Sequence, residues 1–300
     1  MKATEPSDLE TVIVDHPATG VARLTLNRPD KANAQNMQML YELNHALDAA
    51  AADDAVRVII VAASGRHFSS GHDLAAEQDW RLQDVAVGPA GGFDQPGMEG
   101  HWAREEEAYF GLCWRWRNLP KPTIAQVQGK VIAGGLMLVW PFDLVVASED
   151  ATFQDPVVAF GANGVEYFAH PWEFGVRKAK ELLFTGRGIT AELARELGMV
   201  NRVVPRHRLE DATLELAREI AAQPMMGLKT AKESVNQMQN AQGLYQALRS
   251  AMGMQQLAHA HNYMVHDLPV DPAGAERVRA LTRQPPLSGR HDQTRTQEKT

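Results

Sequence analysis

Two glycine-containing segments place bare backbone where it could stabilise a negative charge. Gly134 and Gly135 stand together near the start of the apolar run 131–148, and Gly71 precedes His72 just after another apolar segment. A glycine at a helix start lets another group approach the unpaired backbone N–H groups there. Two such N–H groups aimed at one point would form an oxyanion hole for a carbonyl oxygen. Adjacent glycines can equally serve only tight helix–sheet packing, so both interpretations stay open at this point.

A cluster of histidines late in the chain is the other group of residues that suggests chemistry. The segment HAHNYMVHD, residues 259–267, holds three histidines. His259 and His261 are two residues apart, so on a helix they point in different directions. No pair in the segment has the four-residue spacing of a helical metal site, and we therefore expect no metal ion.

Bulk composition argues against several classes of function. The 300 residues carry a net charge of −7 with 44% hydrophobic and 22% charged residues, which is typical of a globular protein. No basic block stands out, so we expect no nucleic-acid partner. MKATEPSDLE lacks the apolar core of a signal peptide, and Pro141 and Asp143 interrupt the longest apolar run. With Cys113 as the only cysteine, we expect a cytoplasmic protein without a membrane partner or an internal disulfide.

Strand and helix patterns alternate along the first two thirds of the chain. Segments rich in β-branched residues predict strands at TVIVDH, GVARLTLN, VRVIIVAAS, KPTIAQVQG, DLVVAS, ATFQD and NRVVP. Helical spacing of apolar residues follows Asn36, a suitable N-cap, and recurs in 101–119 and from about residue 166 to Leu281. This alternation with a mainly helical end predicts an α/β fold.

Three regions follow from these patterns. Residues 1–205 form the α/β core, and residues 206–284 form a helical region. Within the core, 76–100 loses all periodicity and is rich in Gly and Pro, which predicts a long surface loop. Residues 285–300 are polar and poor in apolar side chains, which predicts a disordered tail.

Four motifs, in order, resemble the enoyl-CoA hydratase/isomerase, or crotonase, superfamily between about residues 10 and 265. They are LNRPDKANAQN, GRHFSSGHDL, KPTIAQVQGKVIAGGLMLVWPFDLVVASEDATFQDP and ELLFTGRGITAELARELGMVNRVVP. The resemblance implies a spiral of strand–strand–helix repeats that binds acyl-CoA, followed by a helical trimerisation region. It also implies a coenzyme A thioester as substrate, no permanently bound cofactor, and a homotrimer or dimer of trimers.

The resemblance also implies roles for individual residues. The family's oxyanion donors fall on the backbone N–H groups of His72 and Gly134. On this view, Gly134 lacks a side chain because a thioester oxygen must reach its N–H. The segments that border coenzyme A in the family match Arg28, Lys31, Ala32, Ala34, Ser70, Gly71, Asp73, Leu74 and Gly135.

The chain departs from the family at the two positions that carry acid–base glutamates in hydratases. One position lies two residues beyond the glycine pair and is Met137 here. The other follows the proline of Phe153-Gln154-Asp155-Pro156 and is Val157 here. Neither side chain can move a proton. We therefore expect the oxyanion hole to be kept and the usual proton machinery to be replaced.

Glu166 and Asp155 are the candidates for that replacement. Glu166 and His170 are four residues apart and could share a helix face near the acyl end of the pocket. Asp155 lies two residues before Val157, although strand parity could point it to the opposite face. Each carboxylate could instead serve only an ion pair, and His170 is expected to be a structural hydrogen-bonding residue. Aromatic side chains nearby suggest a roomy pocket for a ring or a branched acyl group, although core packing explains them as well: Tyr167, Phe168 and Trp172.

Two functions of different classes fit these residues. The first is an acyl-CoA enzyme of the hydratase or isomerase type that passes through an enolate, with decarboxylation or ring cleavage as other branches. The second is a non-catalytic acyl-CoA-binding homologue that kept the pocket, an alternative that Met137 and Val157 favour. A scaffolding trimer without a ligand leaves the glycines at both oxyanion positions unexplained.

Overall fold

The computed structural model describes residues 9–74, 86–88 and 91–289. Strands and helices fall close to the predicted positions. The strands of this described part are β1 (Val12–Ala18), β2 (Val21–Leu26), β3 (Val58–Ala63), β4 (Thr123–Val127), β5 (Lys130–Ile132), β6 (Leu144–Ser148), β7 (Thr152–Gln154), β8 (Ile189–Thr190) and β9 (Arg202–Val204). Its α-helices are α1 (Met37–Ala52), α2 (Met98–Glu105), α3 (Leu112–Arg117), α4 (His170–Phe174), α5 (Val176–Thr185), α6 (Ala191–Leu197), α7 (Leu209–Ala221), α8 (Met225–Ala241), α9 (Leu244–His266) and α10 (Gly274–Leu281).

A six-stranded sheet forms the first layer, in the order β1-β2-β3-β4-β6-β9. β1 and β2 are antiparallel, and all other neighbours in this sheet are parallel. Every residue of β3 is buried because helices cover both faces of the sheet. Ile59 and Val61 face the main core, while the alternate residues Val58 and Ile60 face α7.

A smaller sheet, β5-β7-β8, forms a second layer. β5 is parallel to β7, and β7 is antiparallel to β8. Strand pairs from consecutive turns of the chain thus contribute to separate sheets with helices between them. This arrangement confirms the predicted α/β class built from strand–strand–helix repeats.

Helix α1 begins where the sequence predicts. The side chain of Asn36 accepts a hydrogen bond from Met39 N at 3.1 Å, so it caps the helix as expected. Leu40, Leu43 and Leu47 are almost fully buried along one face of α1. This face packs against β1, β2 and β3, and so holds α1 on the sheet.

The helix expected over 101–119 begins earlier and contains a wider turn. α2 starts at Met98, inside the predicted loop 76–100, and a π-helical segment over 106–111 separates it from α3. A π-turn shifts the side chains that follow it around the helix axis and is often found at functional sites. Residues 76–85 and 89–90 of the predicted loop lie outside the described residues.

The C-terminal third is helical, as predicted. α8, α9 and α10 follow one another to Leu281. The predicted disordered tail begins too early, because Leu287 forms a parallel bridge with Ile189 and donates its N–H to Gly188 O at 2.7 Å. Residues 290–300 lie outside the described residues. No helix in the described part of the chain is both long and apolar enough to cross a membrane.

Candidate active site

Three segments from different parts of the chain meet at one edge of the fold through backbone pairing. A parallel bridge joins Ser69 to Val131, and a second joins Gln35 to His72. In the second bridge, Gln35 N donates to Gly71 O and Asp73 N donates to Gln35 O, both at 2.8 Å. Because backbone groups alternate in direction along an extended segment, the N–H of His72 points away from Gln35.

Glycines permit the close contact between these segments. Gly71 has φ +92°, and a Cβ there would lie 2.7 Å from Ile132 O and 3.2 Å from Gly134 N. A Cβ on Gly135 would lie 2.7 Å from Ser69 O. Both distances to carbonyl oxygen are shorter than van der Waals contact, so a side chain at either position would push the segments apart.

The space beside Gly134 is filled by the imidazole of His72. A Cβ on Gly134 would lie 2.7 Å from His72 Cε1 and 2.9 Å from His72 Nδ1. That Gly134 is bare so that a thioester oxygen can approach stays a prediction, and the structure adds a second reason for the missing side chain. This second reason is the histidine ring that packs on this Cα.

His72 is held in place by two further side chains. Its Nε2 lies 3.2 Å from Glu166 Oε2, and its ring stacks on Tyr109 with 4.2 Å between centroids. Its Nδ1 is buried and has no hydrogen-bond partner among the described residues. A hydrogen bond from one imidazole nitrogen to a carboxylate determines which nitrogen carries the proton. The other nitrogen is then available to bind a ligand.

The electrostatics of this pair favour an imidazolium–carboxylate arrangement. Burial lowers the pKa of His72, but the charge and hydrogen bond of Glu166, with smaller contributions from Glu105 and Asp155, raise it above the ordinary value. Burial next to Glu166 also raises the pKa of the Tyr109 hydroxyl and the Cys113 thiol well above their usual ranges. Tyr109 and Cys113 are therefore neutral near pH 7.

Glu166 lies in an irregular segment just before α4. Since α4 begins at His170, the two residues do not share a helix face as predicted. Instead, Asp155 holds this segment: it accepts hydrogen bonds from Val157 N and Val165 N, both at 3.0 Å, and from His170 at 2.7 Å. Asp155 is 5% exposed and Glu166 is 6% exposed. The carboxylate of Asp155 thus accepts hydrogen bonds from the segment that carries Glu166.

Strained backbone marks the same region. Ala32 and Asn33 have φ of 49° and 50°, and Ala133, directly before Gly134, has φ of 48°. Positive φ in residues with a Cβ costs on the order of 1–3 kcal/mol and persists only where the surroundings impose it. These residues belong to two of the three segments that meet at the site.

Several of the residues that the resemblance assigns to coenzyme A are joined by hydrogen bonds and an ion pair. Arg28 pairs with Asp73 at 2.9 Å and also donates to Ala34 O. Ser70 N donates to Ala32 O at 2.9 Å, which joins the two loops. The side chains of Lys31 and Leu74 are exposed.

The positions that carry glutamates in hydratases lie in apolar surroundings. Met137 is 1% exposed and belongs to the main core. Val157 begins a short 3-10 helix and packs against the same core. Of the three aromatic residues expected in the acyl pocket, Tyr167 is buried in the core, Trp172 is partly exposed, and Phe168 contacts the ring of His170 at 4.4 Å.

Sequence reasoning missed several residues that the fold brings to the site or beside it. Tyr109 lies within the helix predicted over 101–119, but the π-helical turn over 106–111 that accompanies its contact with His72 has no clear sequence signal. His101 and Glu105 do show four-residue spacing, but their partner His259 lies on α9. Only the packing of α2 against α9 brings these three together.

Comparisons with known proteins show which family the chain resembles. The sequence profile of the family described as enoyl-CoA hydratase/isomerase matches residues 17–88 and 90–264. A Mycobacterium tuberculosis protein named as a candidate enoyl-CoA hydratase is 48% identical over 249 residues, which span 80% of this chain and 78% of that protein. The 1,2-epoxyphenylacetyl-CoA isomerase of Escherichia coli is 34% identical over 229 residues, 75% of this chain and 81% of that enzyme.

A solved structure gives the same result for the fold. The crystal structure of a probable enoyl-CoA hydratase from Mycobacterium smegmatis superposes with a TM-score of 0.78 at 46% identity. The match covers 87% of this chain and 98% of that chain. The crotonase-like fold expected from the four motifs is therefore confirmed.

Proposed function

Because this chain belongs to the enoyl-CoA hydratase/isomerase family of enzymes, we propose that it transforms an acyl-CoA thioester through an enolate. The enolate oxygen would accept hydrogen bonds from the backbone N–H groups of His72 and Gly134. Two such donors in a site that excludes water stabilise developing negative charge, and each contributes about 10²–10³ in rate. The observation that carries the proposal is the close approach of Gly71, the residue before His72, to Gly134: a Cβ on Gly71 would lie only 3.2 Å from Gly134 N.

Glu166 is the proposed proton carrier. Its carboxylate is almost fully buried, and it lies 3.2 Å from the imidazole that packs on Gly134. Asp155 is fully engaged with Val157, Val165 and His170, which supports a positioning role for Asp155 in place of the catalytic role considered from the sequence. His72 would orient Glu166 through Nε2 and offer Nδ1 to the ligand.

A single carboxylate favours a double-bond shift over hydration. In the shift, Glu166 takes a proton from the carbon next to the thioester, and the electron pair moves to the thioester oxygen. The same carboxylic acid then returns the proton at the far end of the conjugated enolate, so no atom is gained or lost. Met137 and Val157 supply no second acid–base group for the addition of water.

The proposed substrate class includes ring-bearing acyl groups. Tyr109 presents a flat, neutral ring beside His72, and Phe168 lies next to the segment that carries Glu166. The Escherichia coli relative is named for a phenylacetyl-CoA derivative, which supports the same class. Coenzyme A would enter as part of the substrate, near Arg28 and Asp73.

The test is turnover of 3-enoyl-CoA and 2-enoyl-CoA thioesters, straight-chain and phenyl-bearing, in D₂O. We expect the double-bond position to change, read by NMR, and carbon-bound deuterium to accumulate, read by mass spectrometry, to the extent that the Glu166 carboxyl exchanges its proton with solvent before returning it. Glu166→Gln should abolish both changes while calorimetry still shows thioester binding. Addition of water would instead support a hydratase, and binding without any conversion in the wild-type protein would support the non-catalytic alternative.

We also propose that the protein self-associates through its helical end. α8 and α9 expose several large apolar side chains, among them Met238, Leu257 and Met264. Light scattering on the purified chain would give the mass directly. A monomer at micromolar concentration would contradict the trimer or dimer of trimers that the family resemblance implies.

A further inference from the structure

Three metal-ligating side chains converge between α2 and α9, in a group that the proposed reaction does not use. His101 Nε2 lies 2.9 Å from Glu105 Oε1, and His259 Nε2 lies 3.3 Å from the same oxygen. The three ligand atoms all lie within 4.8 Å of one another. Zinc–ligand bonds of about 2.0–2.1 Å in a tetrahedron put neighbouring ligand atoms about 3.3 Å apart. Two of the three separations therefore already fit one ion, and the histidine–histidine separation would shorten on binding.

The outer contacts orient these side chains as metal ligands are oriented. His259 Nδ1 donates to the carbonyl oxygen of Pro269 at 2.6 Å, which leaves Nε2 as the nitrogen that faces Glu105. Gln256 Nε2 donates to Glu105 Oε2 at 2.6 Å and leaves Oε1 directed at the histidines. Hydrogen bonds of this kind, from a histidine to a backbone carbonyl and to the far oxygen of a carboxylate, fix ligand orientation in metal sites.

The inward-facing nitrogens lack well-directed hydrogen bonds. Nε2 of His101 and Nε2 of His259 are both buried atoms without a hydrogen-bond partner among the described residues, despite their short distances to Glu105. His259 is 5% exposed and Glu105 is 6% exposed. If both nitrogens were unprotonated, their lone pairs would repel the carboxylate oxygen that they face, so the group needs either added protons or a cation between the three atoms.

We propose that His101, Glu105 and His259 form a binding site for a divalent transition metal of the Zn²⁺ type. Two imidazoles and one carboxylate are a ligand set that zinc accepts, and three protein ligands leave a fourth position for water or another ligand. Because His101 and Glu105 lie on α2 and His259 lies on α9, the ion would fasten the helix after the long loop to the C-terminal helical region. None of the three residues has a role in the proposed reaction, so the proposal does not depend on that reaction.

The direct test is metal binding by the full-length chain after removal of any tag and of bound metal with a chelator. Co²⁺ is followed by its visible absorption, and Zn²⁺ by calorimetry and by displacement of Co²⁺. We expect one equivalent to bind. His101→Ala and His259→Ala should each weaken binding by on the order of 100-fold. His261→Ala removes an exposed histidine from the same helix and should bind like the wild-type protein.

Every outcome decides the proposal. Failure of the wild-type chain to bind either ion would overturn it. Protonation of the histidines would then be what balances the charge of Glu105. Binding that survives loss of both His101 and His259 would overturn it as well, since the ion would then lie elsewhere. If an alanine variant does not fold, His101→Gln or His259→Gln keeps the side-chain volume with a poor ligand and gives the same readout.

Discussion

The imidazole of His72 packs directly on the Cα of Gly134, at a distance that excludes a methyl group. The contact joins the two residues whose backbone N–H groups are proposed to hold the thioester oxygen. The same ring reaches Glu166 through Nε2. One histidine thus connects the proposed oxyanion hole to the proposed proton carrier.

Gly134→Ala should disrupt the site. The new Cβ would come within 2.7 Å of the His72 ring, so the ring must move and carry away its contact with Glu166. We expect overpacking to cost about 1–3 kcal/mol of unfolding free energy and turnover to fall by about 10²–10³. Urea denaturation and steady-state kinetics measure the two effects.

Gly227→Ala is the matched control for that substitution. Gly227 lies in α8 with open space around its Cα, so alanine there should be neutral or stabilise by up to about 1 kcal/mol. Wild-type activity in Gly134→Ala would contradict the contact between residue 134 and the His72 ring.

The pKa of His72 should depend on Glu166. In the wild-type protein we expect His72 to titrate above its ordinary value of 6.5, because the carboxylate outweighs the opposing effect of burial. In Glu166→Gln the burial remains and the charge is gone, so the pKa should fall relative to the wild-type protein. NMR of ¹³C-labelled histidine, with His72→Gln used to assign the signal, measures both values.

The sign of the pH dependence follows from this shift. A pKa that is higher in the folded state means that the stabilisation is fully present below about pH 6.5, the unfolded value, and is lost as the pH rises through the folded pKa. Glu166→Gln should remove this stabilisation. An unchanged His72 titration in Glu166→Gln would show that the two side chains do not interact.

Asp155→Asn should lower activity only by disturbing the position of the segment that carries Glu166. The amide keeps the shape but has only one oxygen to accept the bonds now made by Val157 N, Val165 N and His170. We expect a loss of about 1–3 kcal/mol in stability and a lower kcat with substrate binding largely kept. Asp150→Asn changes an exposed ion pair with Arg206 and should leave stability within about 0.5 kcal/mol. If Asp155→Asn loses all turnover but no stability, Asp155 takes part in the chemistry itself.

Glu107→Gln should release the segment 86–88. Glu107 is fully buried and accepts backbone hydrogen bonds from Ala86 at 2.5 Å, Val87 at 3.0 Å and Gly88 at 3.1 Å. A glutamine presents an NH₂ group to some of these donors, so their amides should exchange with solvent at least tenfold faster. Hydrogen exchange followed by mass spectrometry measures this rate. Glu99→Gln, an exposed change on α2, should leave it unaltered.

Local patterns along the chain were enough to predict the main elements and the family. Asn36 caps α1 as expected, because capping depends on residues within one turn. The apolar strands could be predicted equally well, since burial on both faces, as in β3, favours a short continuous run of apolar residues. Gly71, Gly134 and Gly135 could be singled out by their places beside or within apolar segments, and the structure shows that a Cβ at Gly71 or Gly135 would collide with another segment. Features of this kind can be recognised from a few neighbouring residues.

Contacts between distant segments could not be predicted in the same way. The His72–Glu166 pair spans 94 positions, and no spacing rule links them. Tyr109 comes to lie against His72 beside a π-helical turn that has no clear sequence signal. The start of α4 at His170, which separates Glu166 from the helix, depends on the hydrogen bonds that Asp155 makes.

The sequence by itself thus determined which backbone groups can come close together and which elements carry them, because glycines, caps and apolar periodicity act over a few residues. Only the tertiary structure decided which side chains surround those groups. The ring on Gly134, the carboxylate on that ring and the three possible metal ligands between α2 and α9 all depend on packing between elements far apart in the chain. Such contacts are set by the whole core, so no single segment encodes them.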